Sequence, residues 1–148
     1  MEIRKATIDD IDNNLLNIFI DGFKFHLNGR PDIFINKTND ELREELINNI
    51  TNDKNVIVAL EYEKILGFAI FKIKEKKYKT LWVDQLVVDK EFRGKGIAKL
   101  LMSKIYEIAE QEKCNKIELC CWSFNDNVNN MYKHLGFKEQ RVILEKEV

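Results

Sequence analysis

Apolar residues recur along this chain with two periods, and the change between them divides it. Ile11, Leu15, Ile18, Phe19 and Phe23 follow one another at helical spacing, which predicts a helix opening at Asp9 or Asp10 and stopped by Gly29 and Pro31. Glu2 to Ala6 reads as a short strand before it. Thr38 with Glu41 three residues on is a capping box, in which each side chain bonds the other's backbone N–H. It predicts a second helix burying Leu42, Leu46, Ile47 and Ile50.

From Asn55 the period shortens to two. Val56 to Tyr62 and Ile65 to Lys74 are β-branched and aromatic runs joined by Glu63-Lys64, which predicts an antiparallel hairpin. Lys72, Lys74 and Lys76 alternate with Phe71 and Ile73, as on a strand with one solvated face. Thr80 to Val88 is a further strand, Ile97 to about Glu112 a helix with Leu100, Leu101, Ile105 and Ile108 inward, and Lys116 to Trp122 another strand. This is one β-α-β unit. A short helix from about Asp126 to His134, a stop at Gly136 and a final alternating strand from Phe137 to Glu147 complete the reading. The chain has no repeat or linker, and its 148 residues fit one domain spanning 1–148.

Charge changes this picture only a little. The net charge is -1, which argues against a protein that neutralises many nucleic-acid phosphates. Residues 1–53 carry 11 acidic and 6 basic side chains, and residues 54–148 carry 14 and 18. That asymmetry reads either as acidic, solvated helix faces or as a field that attracts a cation. Cys114, Cys120 and Cys121 form no C-x-x-C pair, which suits a reduced, cytoplasmic protein. No stretch of about 18 apolar residues occurs, so no membrane span is expected. His26 and His134 lack metal-ligand spacing, and no metal is expected.

The densest chemical signal is Phe92-Arg93-Gly94-Lys95-Gly96-Ile97-Ala98, between a strand and a helix. Small residues there let the backbone turn sharply and aim free N–H groups at an anion, with Arg93 and Lys95 adding charge. A P-loop would need Lys-Ser or Lys-Thr after its second glycine, and a dinucleotide fingerprint would need a small residue where Lys99 stands. Read alone, the loop fits both an anion site and a plain tight turn.

Arg93, Gly96 and Ala98 match the R/Q-x-x-G-x-G/A pattern, and Asn125, Tyr132 and Gly136-Phe137 match N-x-x-A-x-x-x-Y-x-x-x-G-F with Val128 in place of alanine. On these two motifs, about thirty residues apart and in order, the sequence resembles the GNAT superfamily of N-acetyltransferases, convincingly over residues 55–148. It departs at Asp89-Lys90, where many members carry a proline.

The resemblance implies an α/β (α+β) fold: a mixed, mostly antiparallel central sheet of six or seven strands flanked by about four helices, with a splayed parallel pair at strands four and five. It implies acetyl-CoA as cosubstrate, its pantetheine on the backbone of Leu86, Val87 and Val88 and its pyrophosphate on Arg93, Gly94, Lys95, Gly96, Ile97 and Ala98. The backbone N–H near Val87 would polarise the thioester carbonyl. Tyr132 would serve the departing thiolate, and Asp84 stands where relatives often have a base, although an alternating strand also turns such a residue to solvent. Asn125 would bind the pantetheine arm or cap its helix, capping being preferred. Cys120 and Cys121 read as strand packing residues. Phe19, Phe23, Phe25 and Phe34 are divided between core and an aromatic lining near Arg30-Pro31-Asp32.

The acceptor implied is an amine, small-molecule or peptide, attacked directly in a ternary complex; homodimers are common in the family. A non-catalytic acyl-CoA sensor and a nucleotide-binding α/β domain remain as rivals.

Overall fold

The computed structural model describes residues 1–148. Its five strands are β1 (Glu2–Lys5), β2 (Val56–Glu61), β3 (Lys64–Glu75), β4 (Lys79–Val88) and β5 (Lys116–Leu119), hydrogen-bonded in that order. β1 to β4 are antiparallel neighbours, and β4 and β5 run parallel. Four helices accompany them: α1 (Leu16–Gly29), α2 (Asn39–Asn48), α3 (Ile97–Gln111) and α4 (Asp126–His134). This is the expected mixed sheet with its parallel pair and four helices, with five strands in place of six or seven.

The missing strand is the predicted run from Phe137 to Glu147, which lies in no regular element. Its alternation is genuine, but a strand exists only where another strand meets its N–H and C=O groups, and nothing in the chain does.

Each face of the sheet carries its own core. Val58, Phe68 and Ile70 pack with Ile11, Leu15, Phe19, Leu42 and Leu46 from α1, α2 and the segment before α1. Ala59, Ala69, Leu81 and Val83 pack on the other face with Ile97, Leu101, Met102, Ile105 and Tyr132. The capping box that opens α2 forms as read, Glu41 N–H donating to Thr38 Oγ1 at 3.1 Å and Thr38 N–H to Glu41 Oε2 at 3.4 Å.

Three boundaries differ from the sequence reading. The hairpin turns at Tyr62 and Glu63, both at positive φ (50° and 61°), so Lys64 begins β3. The first helix is preceded by a 3₁₀ turn (Ile8–Asp10) and a π turn (Ile11–Leu15), with the path broken at Asn13 and Asn14. Asn14 adopts φ 70°, a conformation that asparagine tolerates better than most side chains. β5 stops at Leu119 and not Trp122, because its one sheet partner turns away there.

Candidate active site

That turning away is built by a one-residue mismatch. β3 and β4 pair Ile70 with Gln85 but Phe71 with Val83, so Asp84 is an extra residue bulged out of β4. β4 and β5 pair only from Thr80 with Lys116 to Val83 with Leu119. The two strands therefore part at the bulge, and β4 continues through Val88 with one edge open. The bulge also exchanges the faces: Leu81 and Val83 before it pack toward α3, whereas after it Leu86 and Val88 do and Val87 joins the α1 side.

The hydrogen-bond phase shows what that edge offers. Asp89 N–H donates to the Leu66 carbonyl at 2.8 Å. In an antiparallel ladder bonded residues alternate, so Val87, opposite Phe68, turns its backbone groups to β3. Leu86 and Val88 turn theirs to the open edge. The N–H groups free to meet a ligand thus flank Val87, while Arg93 Nε already donates to the Val88 carbonyl at 3.3 Å.

Beyond β4 lies the glycine-rich turn. Asp89 caps a short 3₁₀ turn (Lys90–Phe92) by accepting from Glu91 N–H at 3.1 Å. Gly94 and Gly96 both stand at φ 79°, and a Cβ built on either meets no heavy atom within 4 Å. Gly96 is the N-cap of α3 and supplies no side-chain cap, so the first N–H groups of that helix, from Ile97 and Ala98, open outward. Ile97 anchors the turn at 1% exposure, while Arg93 and Lys95 are exposed. Phe92 lies between the ammonium groups of Lys64 and Lys95, 5.0 and 5.2 Å from its ring centre. Lys64 comes from the β2–β3 hairpin, and no local sequence pattern connects it to this turn.

Tyr132 sits on the inner face of α4 at 7% exposure, edge-on to Phe137 with ring centres 5.5 Å apart. Burial pushes its phenol pKa well above the usual range, with Cys121 and Tyr106 raising it further. Cys121 is half-buried and its thiol is pushed up to about 11 by burial, whereas Cys120 is exposed. Neither belongs to a strand. Asp84 is exposed and its side chain makes no hydrogen bond or ion pair within the chain.

Asn125 precedes α4 but its side chain does not cap it. The amide that ties down this corner is Asn129 Nδ2, donating to the carbonyls of Trp122 at 3.0 Å and Asn125 at 2.9 Å. Asn125 N–H is itself committed to the Trp122 carbonyl, and with φ -98° and ψ 70° its side chain is left without a partner.

α1 crosses the parting strands on one face. Gly22 rests on β4, where an added Cβ would lie 3.2 Å from a methyl of Val87, and Gly29 rests on the segment after β5, beneath the ring of Phe124. Between them an aromatic group closes the gap. Trp122 stacks on Phe124 at 6.1 Å and meets Phe34 edge-on at 5.5 Å; Phe25 and His26 pack against Phe124 and Phe34. Arg30 lies 5.4 Å above Trp122 and pairs with Asp32 and Glu145. Of the four phenylalanines singled out earlier, Phe25 and Phe34 join this group and Phe19 and Phe23 join the core. Trp122 and Phe124, its other half, were not legible because their neighbours are distant in sequence.

The Acetyltransferase (GNAT) family model matches residues 20–137. The chain belongs to that family. The chain is 32% identical over 88 residues to a probable spermine N(1)-acetyltransferase of Bacillus subtilis subsp. natto (strain BEST195), and 31% identical over the same length to the spermine/spermidine N(1)-acetyltransferase of Bacillus subtilis (strain 168). Each match spans 55% of this chain and 58% of the relative, so a little more than half of those proteins is represented. The fold superposes on a Bacillus halodurans protein with TM-score 0.87 at 23% identity over the whole of both chains. It also superposes, at TM-score 0.74 and 17% identity over 99% of this chain and 93% of the other, on an aminoglycoside N-acetyltransferase in complex with CoA. No helix of the chain is long and apolar enough to cross a membrane.

Proposed function

We propose that this acetyltransferase takes its acetyl group from acetyl-CoA and delivers it to a primary amine of a small cationic molecule, by direct attack with both substrates bound. The observation that carries the reading is the parting of β4 from β5 at Asp84, which leaves a backbone edge leading straight to an uncapped helix N-terminus. The cradle fits the cosubstrate. The space that a Cβ would meet empty at Gly94 and Gly96 suits a pyrophosphate, held by the N–H groups opening α3 together with Arg93 and Lys95. The open edge of Leu86 and Val88, beside Val87, suits the amides of a pantetheine arm, and the unpartnered Asn125 suits the same arm from the opposite wall.

Acetyl-CoA supplies, when bound, an acyl group already activated as a thioester. What the chain adds is electrostatic. An N–H from Leu86 or Val88 polarises the acyl carbonyl, a donor type worth about 2.7 to 4 kcal/mol. Tyr132 hydrogen-bonds the departing sulfur; a phenol whose burial makes it a still weaker acid stabilises that charge without giving up its proton. Asp84, exposed at the bulge, offers oxygens that can accept hydrogen bonds from the acceptor amine. It holds the acceptor, which attacks as the neutral amine; the proton shed from nitrogen as the C–N bond forms and the C–S bond breaks passes to base in solvent.

The acceptor reading rests on the acidic residues 1–53, on exposed Asp21 and Asp84, and on the aromatic rings of Phe34 and Phe124, which attract a cation as the ring of Trp122 already does in holding Arg30. The named activities of the two Bacillus relatives agree with such an acceptor.

The deciding experiment is calorimetric titration with acetyl-CoA of the parent and of Gly96→Trp, with circular dichroism to confirm that the variant folds, followed by spermidine as acceptor in a thiol-release assay. Binding by the parent that the folded variant loses supports the cosubstrate site. No binding by the parent overturns it, and turnover without preference for cationic amines overturns the acceptor reading alone.

A further inference from the structure

The ring of Trp122 already holds a cation, and that cation belongs to the chain. Arg30 is the residue at which α1 ends, its N–H donating to the His26 carbonyl, and its guanidinium carbon lies 5.4 Å from the ring centre. Phe124 stacks on the same ring and Phe34 meets it edge-on; Arg30 is the one cation the structure places there. Asp32 accepts from Nε at 3.0 Å and from Nη2 at 2.9 Å, and Glu145 pairs with Nη1 at 2.8 Å. The Arg30 side chain is 22% exposed, whereas those of its two carboxylate partners are exposed at 63% and 68%. An aromatic face with carboxylates beside it holds an alkylammonium as well as a guanidinium.

The arginine can leave this place without losing its main partner. Asp32 stands two residues on in the same loop, so the bidentate pair turns away as a unit. Only the contact with the exposed Glu145 is given up, and exposed ion pairs of this kind are weak. Trp122 also stands close to the reacting centre: Leu119 pairs with Val83, beside Asp84, and three residues of extended chain reach no further than about 11 Å.

We propose that Arg30 is a specificity-determining residue, a resident cation that the acceptor displaces from Trp122 with one ammonium while another of its nitrogens attacks the thioester. The inference rests on the acceptor reading above and narrows it. The substrate is a di- or polyamine whose nitrogens lie a few methylenes apart, since a monoamine placed for attack has no second charge for Trp122. A site that its resident cation fills about nine-tenths of the time binds a ligand about tenfold more weakly than the empty site.

Calorimetric titration of the CoA-loaded enzyme with spermidine tests this without turnover. Arg30→Gln is expected to tighten spermidine about tenfold, and Arg30→Lys, which keeps a resident cation, to stay within about threefold of the parent. In a Trp122→Leu background, Arg30→Gln should change spermidine affinity by less than about threefold. In the thiol-release assay, Arg30→Gln should raise kcat/KM for spermidine relative to butylamine about tenfold. A folded Arg30→Gln that binds spermidine no tighter than the parent overturns the inference and leaves the acceptor reading standing. So does a gain that persists without Trp122 or that butylamine turnover shares, because removal of one positive charge then accounts for it. Spermidine bound by neither parent nor variant overturns the acceptor reading and this inference together. Were CoA not to bind, the cosubstrate reading would fall, and the same spermidine comparison on the free enzyme would still decide between these outcomes.

Discussion

Asn14 donates from its side-chain amide to Asp89 Oδ2 at 2.8 Å and to the Ile65 carbonyl at 2.9 Å, joining the break before α1 to the end of β4 across 75 residues of sequence. The bond fixes where the glycine-rich turn begins. Burial alone would raise the Asp89 pKa; the Asn14 amide, the Glu91 N–H and the charges of Lys64 and Lys90 outweigh it and hold the pKa below the usual value. Asp10 behaves alike, burial being outweighed by Arg4 and Thr7. A carboxylate depressed in the folded state stabilises fully above its unfolded value of about 3.9 and stops doing so as pH falls through its folded value. Urea midpoints are therefore expected to be flat from neutral pH to about 5 and to fall steeply below about 4. Asn14→Gly, which keeps the left-handed backbone, should cost about 1 to 2 kcal/mol near neutral pH and flatten the acid limb. An unchanged acid limb would show that Asn14 does not govern Asp89.

Tyr132 is buried and its phenol pKa is raised, so in the proposed reaction it would hydrogen-bond the sulfur rather than act as a strong acid. Tyr132→Phe is expected to lower kcat about ten- to hundredfold while acetyl-CoA affinity changes less than about threefold. Because burial raises the phenol, the parent's pH profile should show no tyrosine limb below about pH 10. Equal losses in kcat and in acetyl-CoA binding would mean that the ring is structural and the hydroxyl inert.

Local signals were legible in the sequence and distant ones were not. Thr38 with Glu41, and Arg93 with Gly96 and Ala98, announce themselves because the groups that interact lie within one turn of chain. The bulge at Asp84 is a mismatch between two strands, visible only once Phe71 is set against Val83. The sequence reading could place Asp84 on an alternating strand but could not see that this residue is where the strand changes faces. Asn14 and Lys64 escaped for the same reason, their partners being far along the chain. For the tail the period was read correctly and the element was absent, since alternation reports what a strand would bury, not whether a partner exists.

The three cysteines should separate by environment. Cys120 is exposed, whereas burial pushes the Cys121 thiol to about 11 and raises Cys114 as well. The thiolate is the reactive form, so a disulfide reagent at pH 8 is expected to label Cys120 rapidly and the others only on unfolding. Mass spectrometry of the labelled peptides distinguishes this from fast labelling of Cys121, which would place that thiol in water.

Gly29 is the point at which α1 meets the aromatic group proposed as the acceptor wall, and a Cβ there would come within 2.3 Å of the Phe124 ring. Gly29→Ala must displace that ring, and with it the stack on Trp122 and the packing of Phe25. Overpacking of this kind costs about 1 to 3 kcal/mol, which the chain can meet by moving an aromatic group at the surface without unfolding. The pyrophosphate cradle, formed by the turn before α3, lies on other elements and should be little disturbed, whereas Asn125, next to Phe124, stands on the opposite wall of the proposed cosubstrate cleft. The expected result is a KM for spermidine raised about tenfold or more, with acetyl-CoA affinity measured by calorimetry changed by less, about threefold at most. Trp122→Ala, which removes the face that Arg30 covers, should act in the same direction. If both variants bind acetyl-CoA and acetylate spermidine as the parent does, the aromatic group is packing alone, and the acceptor meets Asp84 from the other side of the parted strands.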